Sequence, residues 1–273
     1  MKASKRTAIA VAIAAVFAFS TTVCFGQSSG GKTINSAEEL KAYLDSQPGN
    51  SPDKPIRVTM SANDRMLKEI AKAIYSSGKY VSLTLSGNAL TSIPEWAFFD
   101  REAEKACETL VSVTIPNSVL SIGENAFLGC GLVSIIIPNS VSSIGDWAFN
   151  YCSELTSVTI GNNVTSIGIG AFAYCPLTSI TIPNGKIGDA VFINCHSLAS
   201  VTIGRGVTSI GRQVFSDCIS LVSVTFQGTI PSENLREDEY GIRSVGDLWT
   251  KYLAGGIGTY TRPNGSSSTW TKQ

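Results

Sequence analysis

Cysteine is the residue whose type and spacing are best suited to chemistry in this chain. Six cysteines recur once per repeating unit, at Cys107, Cys130, Cys152, Cys175, Cys195 and Cys218. An even number of cysteines in an exported chain can indicate disulfides. If the units stack, however, equivalent Cβ atoms lie about 4.8 Å apart, whereas a disulfide needs about 3.8 Å. We therefore expect a buried column of free thiols acting as small apolar filler. Disulfides between neighbouring units and a metal site are the alternatives.

The other reactive residues offer little for catalysis. His196 is the chain's single histidine, so the sequence gives little support for a His-based catalytic triad or a zinc site. It follows Cys195 where other units have Gly131 or Ser153, and we expect it to be an exposed loop residue. We expect three acidic residues to be solvated charge: Glu102, Glu104 and Glu108. Without a nucleophile elbow or clustered carboxylates in the repeats, the sequence predicts neither an enzyme nor a bound cofactor.

The first residues have the features of a secretory signal peptide. Lys2, Lys5 and Arg6 precede an apolar run from Ala8 to Phe19. This run is too short for a membrane span of about 20 residues. The pattern predicts a signal peptide over 1–26, and hence a protein that is secreted or on the cell surface, with the periplasm also open. A lipidated N-terminus at Cys24 is the alternative.

The middle of the chain consists of sequence repeats. Units of 21 to 23 residues begin at Leu110, Leu132, Leu155, Leu177 and Leu198, and the second reads LVSIIIPNSVSSIGDWAFNYCSE. A degenerate copy begins at Val81, and a last strand at Leu221. Such a period is typical of solenoids, in which single units cannot bury enough apolar surface and only the stack is stable.

Each unit is predicted to form one coil of the solenoid. In L-x-S-V-T-I the apolar residues alternate with Ser and Thr, as in a strand with one buried face. Pro or Gly is expected to end this strand, V-x-S-I-G to form a second short strand, and A-F-x-x-C to close the coil as a single helical turn. One phenylalanine per unit is expected to form a core column: Phe98, Phe127, Phe149, Phe172, Phe192 and Phe215.

The segments flanking the repeats (81–230) are predicted to be caps. In the N-terminal cap (27–80), Ser36 and Glu39 form a capping box that starts a helix ending near Ser46. A strand over Ile56–Met60 and a helix over Asp64–Ser77 follow. In the C-terminal cap (231–273) a helix is expected at Leu248–Leu253, with short strands at 258–260 and 269–271.

The consensus LxxVxIPxxVxxIGxxAFxxC, over roughly 81 to 226, resembles the BspA-like leucine-rich repeat of bacterial surface proteins. Ordinary leucine-rich repeats carry Asn where this chain has Pro or Gly. The resemblance implies a curved leucine-rich-repeat α/β horseshoe: a strand-rich solenoid with a parallel sheet, short helical turns and an α/β N-terminal cap. It also implies adhesion to host matrix proteins of the fibronectin and fibrinogen class, or to other cells.

The outward face of the main sheet is the candidate binding surface. Its predicted contact residues are Ser112, Thr114, Ser134, Ser157, Thr159, Ser179, Thr181, Ser200 and Thr202. Ile136 interrupts the threonine file. A solvated strand face, in which Thr is favoured by β-propensity, is the simpler interpretation. Trp96 and Trp147 are expected to be partly exposed, either as contact anchors or as rim packing.

The expected partner is an extracellular protein or glycan. A net charge of zero gives no reason to expect nucleic acid. Nothing beyond the signal peptide is long and apolar enough to span a membrane, and the oligomeric state is open. A structural or periplasmic scaffold without a host ligand is the alternative function.

Overall fold

The structure is a computed structural model that describes residues 31–236 and 245–273. The predicted signal peptide and Cys24 lie outside these residues. No helix within the described part is both long and apolar enough to cross a bilayer.

The N-terminal part alternates strands and helices. It comprises β1 (Lys32–Ile34), α1 (Ala37–Ser46), β2 (Ile56–Ser61), α2 (Leu67–Ser77) and β3 (Val81–Ser86). The predicted cap of α1 is present, because the Ser36 side chain accepts a hydrogen bond from the Glu39 amide. A 3₁₀ turn at Asp64–Met66 precedes α2, and Gly78 ends that helix with φ of 63°, a conformation that glycine adopts without strain. Strand β1 was not anticipated; it pairs in parallel with β2 at the sheet edge.

The coils that follow are built from short strands joined by turns. The strands are β4 (Ser92–Ile93), β5 (Phe99–Asp100), β6 (Lys105–Ala106), β7 (Leu110–Thr114), β8 (Ser121–Ile122), β9 (Ser134–Ile137), β10 (Ser143–Ile144), β11 (Ser157–Ile160), β12 (Ser166–Ile167), β13 (Ser179–Ile187), β14 (Ser200–Ile210) and β15 (Ser223–Phe226). The charged insert in the first unit is an antiparallel hairpin of β5 and β6. The Tyr75 hydroxyl of α2 donates to the Asp100 carboxylate at 2.5 Å and so holds this hairpin against the cap.

Neighbouring coils lie in near-identical register. Ser157 pairs with Ser134 and Val158 with Ile135 across β9 and β11, and Thr181 pairs with Thr202 across β13 and β14. Backbone bonds continue this main sheet between the named strands, as from the Val133 amide to the Val111 carbonyl at 3.2 Å. Val158 is only 8% exposed, so the predicted inward face is confirmed.

The second short strands form another parallel ladder, β4-β8-β10-β12, that continues into β13 and β14. The expectation that Pro183 and Gly204 end their strands was wrong. Strand β13 runs through Pro183, and β14 runs through Gly204, with register shifts after Ile182. The unit beginning at Leu177 has 21 residues and the unit after it has 23, so the pairing of β13 with β14 shifts register at this corner.

The A-F-x-x-C segment was expected to be a helical turn, but it consists of tight turns with two left-handed residues. In one coil these are Trp147 and Tyr151, with φ of 56° at both. A right-handed helix requires negative φ values, so it cannot contain these two residues. The amides instead point to the next coil: Trp147 donates to the Ile169 carbonyl at 2.7 Å, and Phe149 donates to that of Ala171 at 2.8 Å. The turns thus form a third ladder of bonds along the solenoid.

The predicted phenylalanine column is confirmed. Consecutive rings have centroids 4.9 to 5.9 Å apart and planes within 11° of each other. Trp249 stacks on Phe215 at 6.2 Å and ends the column. Each stacked pair contributes about 0.5–1.5 kcal/mol beyond the burial of its area.

The C-terminal part closes the last coil. It contains a 3₁₀ turn at Ser232–Asn234, then α3 (Leu248–Gly255), β16 (Gly258–Thr261) and β17 (Thr271–Lys272). The two strands join β15 in antiparallel pairing, and this changes the direction of the sheet at its last edge. Arg262 is buried under the Trp270 ring, where its guanidinium donates to the Ser267 carbonyl at 2.8 Å.

In the five coils after the first, glycine follows the second strand and permits the close approach of neighbouring coils. This contact can be tested by substitution. A Cβ on Gly145 would lie 2.6 Å from the Gly123 carbonyl carbon, which is backbone and cannot move aside. Gly145→Ala is therefore expected to lower the free energy of unfolding by about 1–3 kcal/mol, as overpacking does.

Urea unfolding followed by far-UV circular dichroism measures this change. Gly49→Ala is the matched control, because a Cβ on Gly49 meets nothing within 4 Å. Equal stability of the two variants would contradict the close-approach argument.

Candidate binding surface

The outer face of the main sheet consists of a file of Ser and a file of Thr. Strand alternation turns the Leu, Val and Ile of each coil inward and these hydroxyls outward. Pairing then aligns them, since Ser179 lies beside Ser200 and Thr181 beside Thr202. We call this surface the sheet face; its residues are Ser112, Thr114, Ser134, Ile136, Ser157, Thr159, Ser179, Thr181, Ser200 and Thr202.

The sheet face is most accessible in its middle. Of the nine predicted contact residues, Ser112, Ser200 and Thr202 are half-buried and the other six are exposed. Further along, the Thr225 hydroxyl lies 2.9 Å from that of Thr259 in β16. The C-terminal cap therefore occupies the end of the threonine file, and the accessible part centres on β9, β11 and β13.

Ile136 is the apolar centre of the sheet face. It is 64% exposed, more than any other large apolar side chain among the described residues, and it pairs with Thr159. Elsewhere the file has Thr at this position. An isolated apolar side chain on a rigid hydroxyl-lined sheet can be buried by a partner at little cost in conformational entropy.

Inside the coils the cysteines form a reduced, buried column, as predicted. Their thiols do more than fill space. The Sγ atoms of Cys152, Cys175, Cys195 and Cys218 each donate to the phenylalanine carbonyl of the preceding coil at 3.1 Å. The Phe127 carbonyl also accepts from the Cys130 amide in its own coil. Each thiol is therefore a polar link between coils, which an apolar residue of the same size would not supply.

Burial gives these thiols little nucleophilic character. It raises the pKa of Cys107, Cys152 and Cys195 to about 12, and the pKa of the other three also lies well above the ordinary value. The thiolate is the reactive form. The column is thus structural, and within residues 31–236 and 245–273 no three His, Cys, Asp or Glu side chains converge to hold a metal ion.

A family comparison matches this repeat. The BspA type leucine-rich repeat region, in six copies, matches residues 68–195 and 185–235. The chain belongs to the BspA-type leucine-rich repeat family. Membership supports a role in protein interaction.

Solved structures of leucine-rich repeat proteins are also similar to the chain. A T. pallidum leucine-rich repeat protein is 23% identical, with a TM-score of 0.45, over 69% of this chain and 77% of that one. The pneumococcal vaccine antigen PcpA is 17% identical, with a TM-score of 0.35, over 54% of this chain. The match spans about half of the antigen's chain, 51%. A leucine-rich cell surface protein of Faecalibacterium prausnitzii is 18% identical, with a TM-score of 0.25, over 75% and 86%. No curated protein matches significantly.

In this BspA-type chain the two tryptophans considered as contact anchors pack on the solenoid. Trp96 lies 5.5 Å from the Phe99 ring, and the Arg101 guanidinium lies 4.9 Å above its face. The ring of Trp147 covers Gly170, where a Cβ would approach it to 2.1 Å. Both are half-buried, so the structure supports the rim-packing alternative.

The remaining candidates are surface residues. His196 is exposed beside its coil, as expected. Glu102, Glu104 and Glu108 are also exposed, in and after the β5–β6 hairpin. Among the residues that the structure describes, none of these four belongs to a group of three His, Cys, Asp or Glu side chains able to hold a metal ion.

Sequence reasoning missed one surface feature, the pair Tyr151 and Tyr174. Both precede a cysteine, where other units have Gly129, Asn194 or Asp217. The signal was present, because Gly, Asn and Asp are the residues that tolerate a left-handed conformation. Tyrosine in two successive units is thus unexpected at this position.

The thiol column predicts protection from reagents. In a full chain carrying Cys24→Ser, we expect six thiols that do not react with a disulfide reagent in the native state and all react in denaturant without reductant. Absorbance of the released thiolate counts them. A deficit in denaturant would show disulfides and contradict the free column.

The raised pKa values also predict a loss of stability at high pH. A thiol with a folded pKa of about 12 and an unfolded pKa near 8.5 stabilises the fold fully below pH 8. This contribution falls as the pH rises toward 12, by at most about 1.4 kcal/mol per pH unit for each thiol. The stability difference between wild type and Cys152→Ser should therefore shrink between pH 8 and 11.

Denaturant unfolding at each pH measures this difference. The serine variant keeps a hydrogen-bond donor at residue 152 but does not titrate in this pH range. The contributions of all other titrating groups to the pH dependence of stability are therefore the same in both proteins and cancel in the difference. A difference that stays constant with pH would contradict the assignment.

Proposed function

We propose that this protein is a non-enzymatic binding module, secreted or held at the cell surface, that attaches to host extracellular-matrix proteins of the fibronectin and fibrinogen class. The sheet face is the proposed contact surface. The observation that carries the proposal is the exposed Ile136 at the centre of an uncharged hydroxyl array in a chain whose family supports protein interaction.

The chemistry of the sheet face suits a protein partner. None of its ten residues is charged, so a partner can cover the surface without desolvating a charge. The Ser and Thr hydroxyls can each donate and accept hydrogen bonds toward a partner's backbone or amide groups. Ile136 supplies the apolar centre that interfaces need inside a polar rim.

The rigidity of the sheet face supports affinity. Its strands pair in parallel, β9 with β11 and β13 with β14, and single backbone bonds join these pairs to the adjacent coils, as from the Thr178 amide to the Thr156 carbonyl at 3.4 Å. Its side chains are short. Ordering long, flexible side chains costs about 0.5–1.5 kcal/mol each on binding, and a surface of Ser and Thr avoids most of that cost.

Charge placed on the sheet face tests the proposal. Thr159→Lys and Thr181→Lys should each weaken binding to immobilised fibronectin or fibrinogen at least tenfold, because each places a long charged side chain at the centre of the contact. Ile136→Ser should weaken it similarly by removing the apolar contact. Surface plasmon resonance with the full chain measures the change.

Thr208→Lys is the matched control. Thr208 is also exposed, but it lies in the part of β14 that continues the second ladder. Thr208→Lys should bind fibronectin or fibrinogen as wild type does. All four variants should keep the wild-type circular dichroism spectrum. Wild-type binding by both sheet-face lysine variants would reject the sheet face. If antibodies cannot reach the protein on intact cells and none is released, the scaffold alternative is favoured.

A further inference from the structure

The position before each repeat cysteine has a left-handed backbone in five successive coils. The φ values lie between 56° and 65° at Gly129, Tyr151, Tyr174, Asn194 and Asp217. Gly, Asn and Asp adopt this conformation readily, whereas a bulky residue adopts it at a cost in free energy. The sequence accepts that cost twice, in neighbouring coils. Trp96 and Trp147 have the same conformation earlier in their coils, so it is exposure and mutual stacking, together with this conformation, that distinguish the two tyrosines.

The two tyrosines form a stacked, exposed platform. Their ring centroids lie 4.3 Å apart with planes 12° from parallel. Tyr151 remains 54% exposed and Tyr174 39%. The backbone beneath them is fixed, since the Tyr151 amide donates to the Ala173 carbonyl at 3.1 Å and the Tyr174 amide to that of Ile193 at 3.0 Å. The platform therefore exists before any ligand arrives.

The stacking leaves the second face of the Tyr151 ring without an equivalent side chain beside it. Tyr174 covers one face of Tyr151, and the opposite face is turned toward the preceding coil. There the equivalent residue is Gly129, whose amide donates to the Asn150 carbonyl at 2.8 Å and which has no side chain. On the other side of the pair, the residue of the next coil equivalent to Tyr174 is Asn194, which carries a side chain. The greater exposure of Tyr151 agrees with this difference.

We propose that the open ring face of Tyr151, supported from behind by Tyr174, binds a pyranose ring of a glycan. The face of an aromatic ring carries negative charge, whereas one face of a pyranose presents a set of C–H groups with partial positive charge. A flat, preformed, uncharged ring suits such a neutral partner, and the nearest charged residue along the chain is Glu154. The tyrosine hydroxyls and the exposed Ser153 hydroxyl can bond sugar hydroxyls at its edge.

This glycan platform is distinct from the sheet face. It lies in the turns that close the coils, whereas the proposed matrix-binding residues lie in the main strands. The two surfaces can be altered separately, so failure of one proposal leaves the other standing.

Replacement by the residue of another coil is the sharpest test. Tyr151→Asn copies Asn194 and removes the ring while suiting the backbone. We expect the full chain to bind neutral members of an array of neutral and sialylated oligosaccharides, and Tyr151→Asn to weaken that binding at least tenfold. Tyr174→Asn should weaken it less, and Tyr151→Phe should retain it. Calorimetric titration with the best array oligosaccharide gives the affinities.

Stability and protein binding provide the controls. Tyr151→Asn should melt no lower than wild type, because it relieves backbone strain. Ile136→Ser should leave oligosaccharide binding unchanged. Absence of any bound oligosaccharide, or equal binding by Tyr151→Asn, would overturn the proposal. It would also be overturned if Tyr151→Asn lost fibronectin or fibrinogen binding while oligosaccharide binding persisted.

Discussion

Hydrogen bonding between successive coils is the interaction on which the rest of this structure depends. Each coil meets the next at three places: the main strand, the second strand and the closing turn. At all three, backbone amides of one coil donate to carbonyls of its neighbour, as Gly145 does to Ile122 and Phe149 to Ala171. Buried backbone groups must be paired. Every coil is therefore forced into the register of the one beside it, and like residues meet.

That register explains why the interior varies so little. A ring that stacks at about 5 Å on an identical ring must keep its size and orientation, so phenylalanine persists. Cysteine persists for a more specific reason. It is small enough for a buried site and still donates a hydrogen bond to the carbonyl of the coil before it. Glycine at the end of the second strand follows from backbone contact, because any side chain there would enter the neighbouring coil.

The exterior is free of these restraints, and the departures from the repeat occur there. Ile136 replaces threonine on the sheet face, and Tyr151 and Tyr174 replace residues suited to a left-handed backbone. Ile136 adds nothing to the core because its side chain is exposed, and the two tyrosines stack on each other at the surface. In a repeat protein the fold thus requires the same residue types in every coil. Positions that depart from the repeat without a structural need are therefore the best candidates for recognition. The ends differ too: Trp249 and α3 cover the last phenylalanine, where a further coil would otherwise stack.

The sequence by itself determined the solenoid, the inward and outward faces, the phenylalanine column and the column of buried cysteines, because strict periodicity in stacked units converts spacing along the chain into contact in space. The helices were also predictable, since Ser36, Glu39 and Gly78 mark their ends by local chemistry. Only the tertiary structure decided what depends on the neighbouring coil. It showed that β13 runs through Pro183, that the closing turn is left-handed at two residues, and that the thiols bond to phenylalanine carbonyls. It also showed that Trp147 lies over Gly170 while Tyr151 lies open beside Gly129. These features depend on which side chain of the adjacent coil lies beside each residue. The residues in contact are more than twenty positions apart in the sequence, so local sequence does not predict their packing.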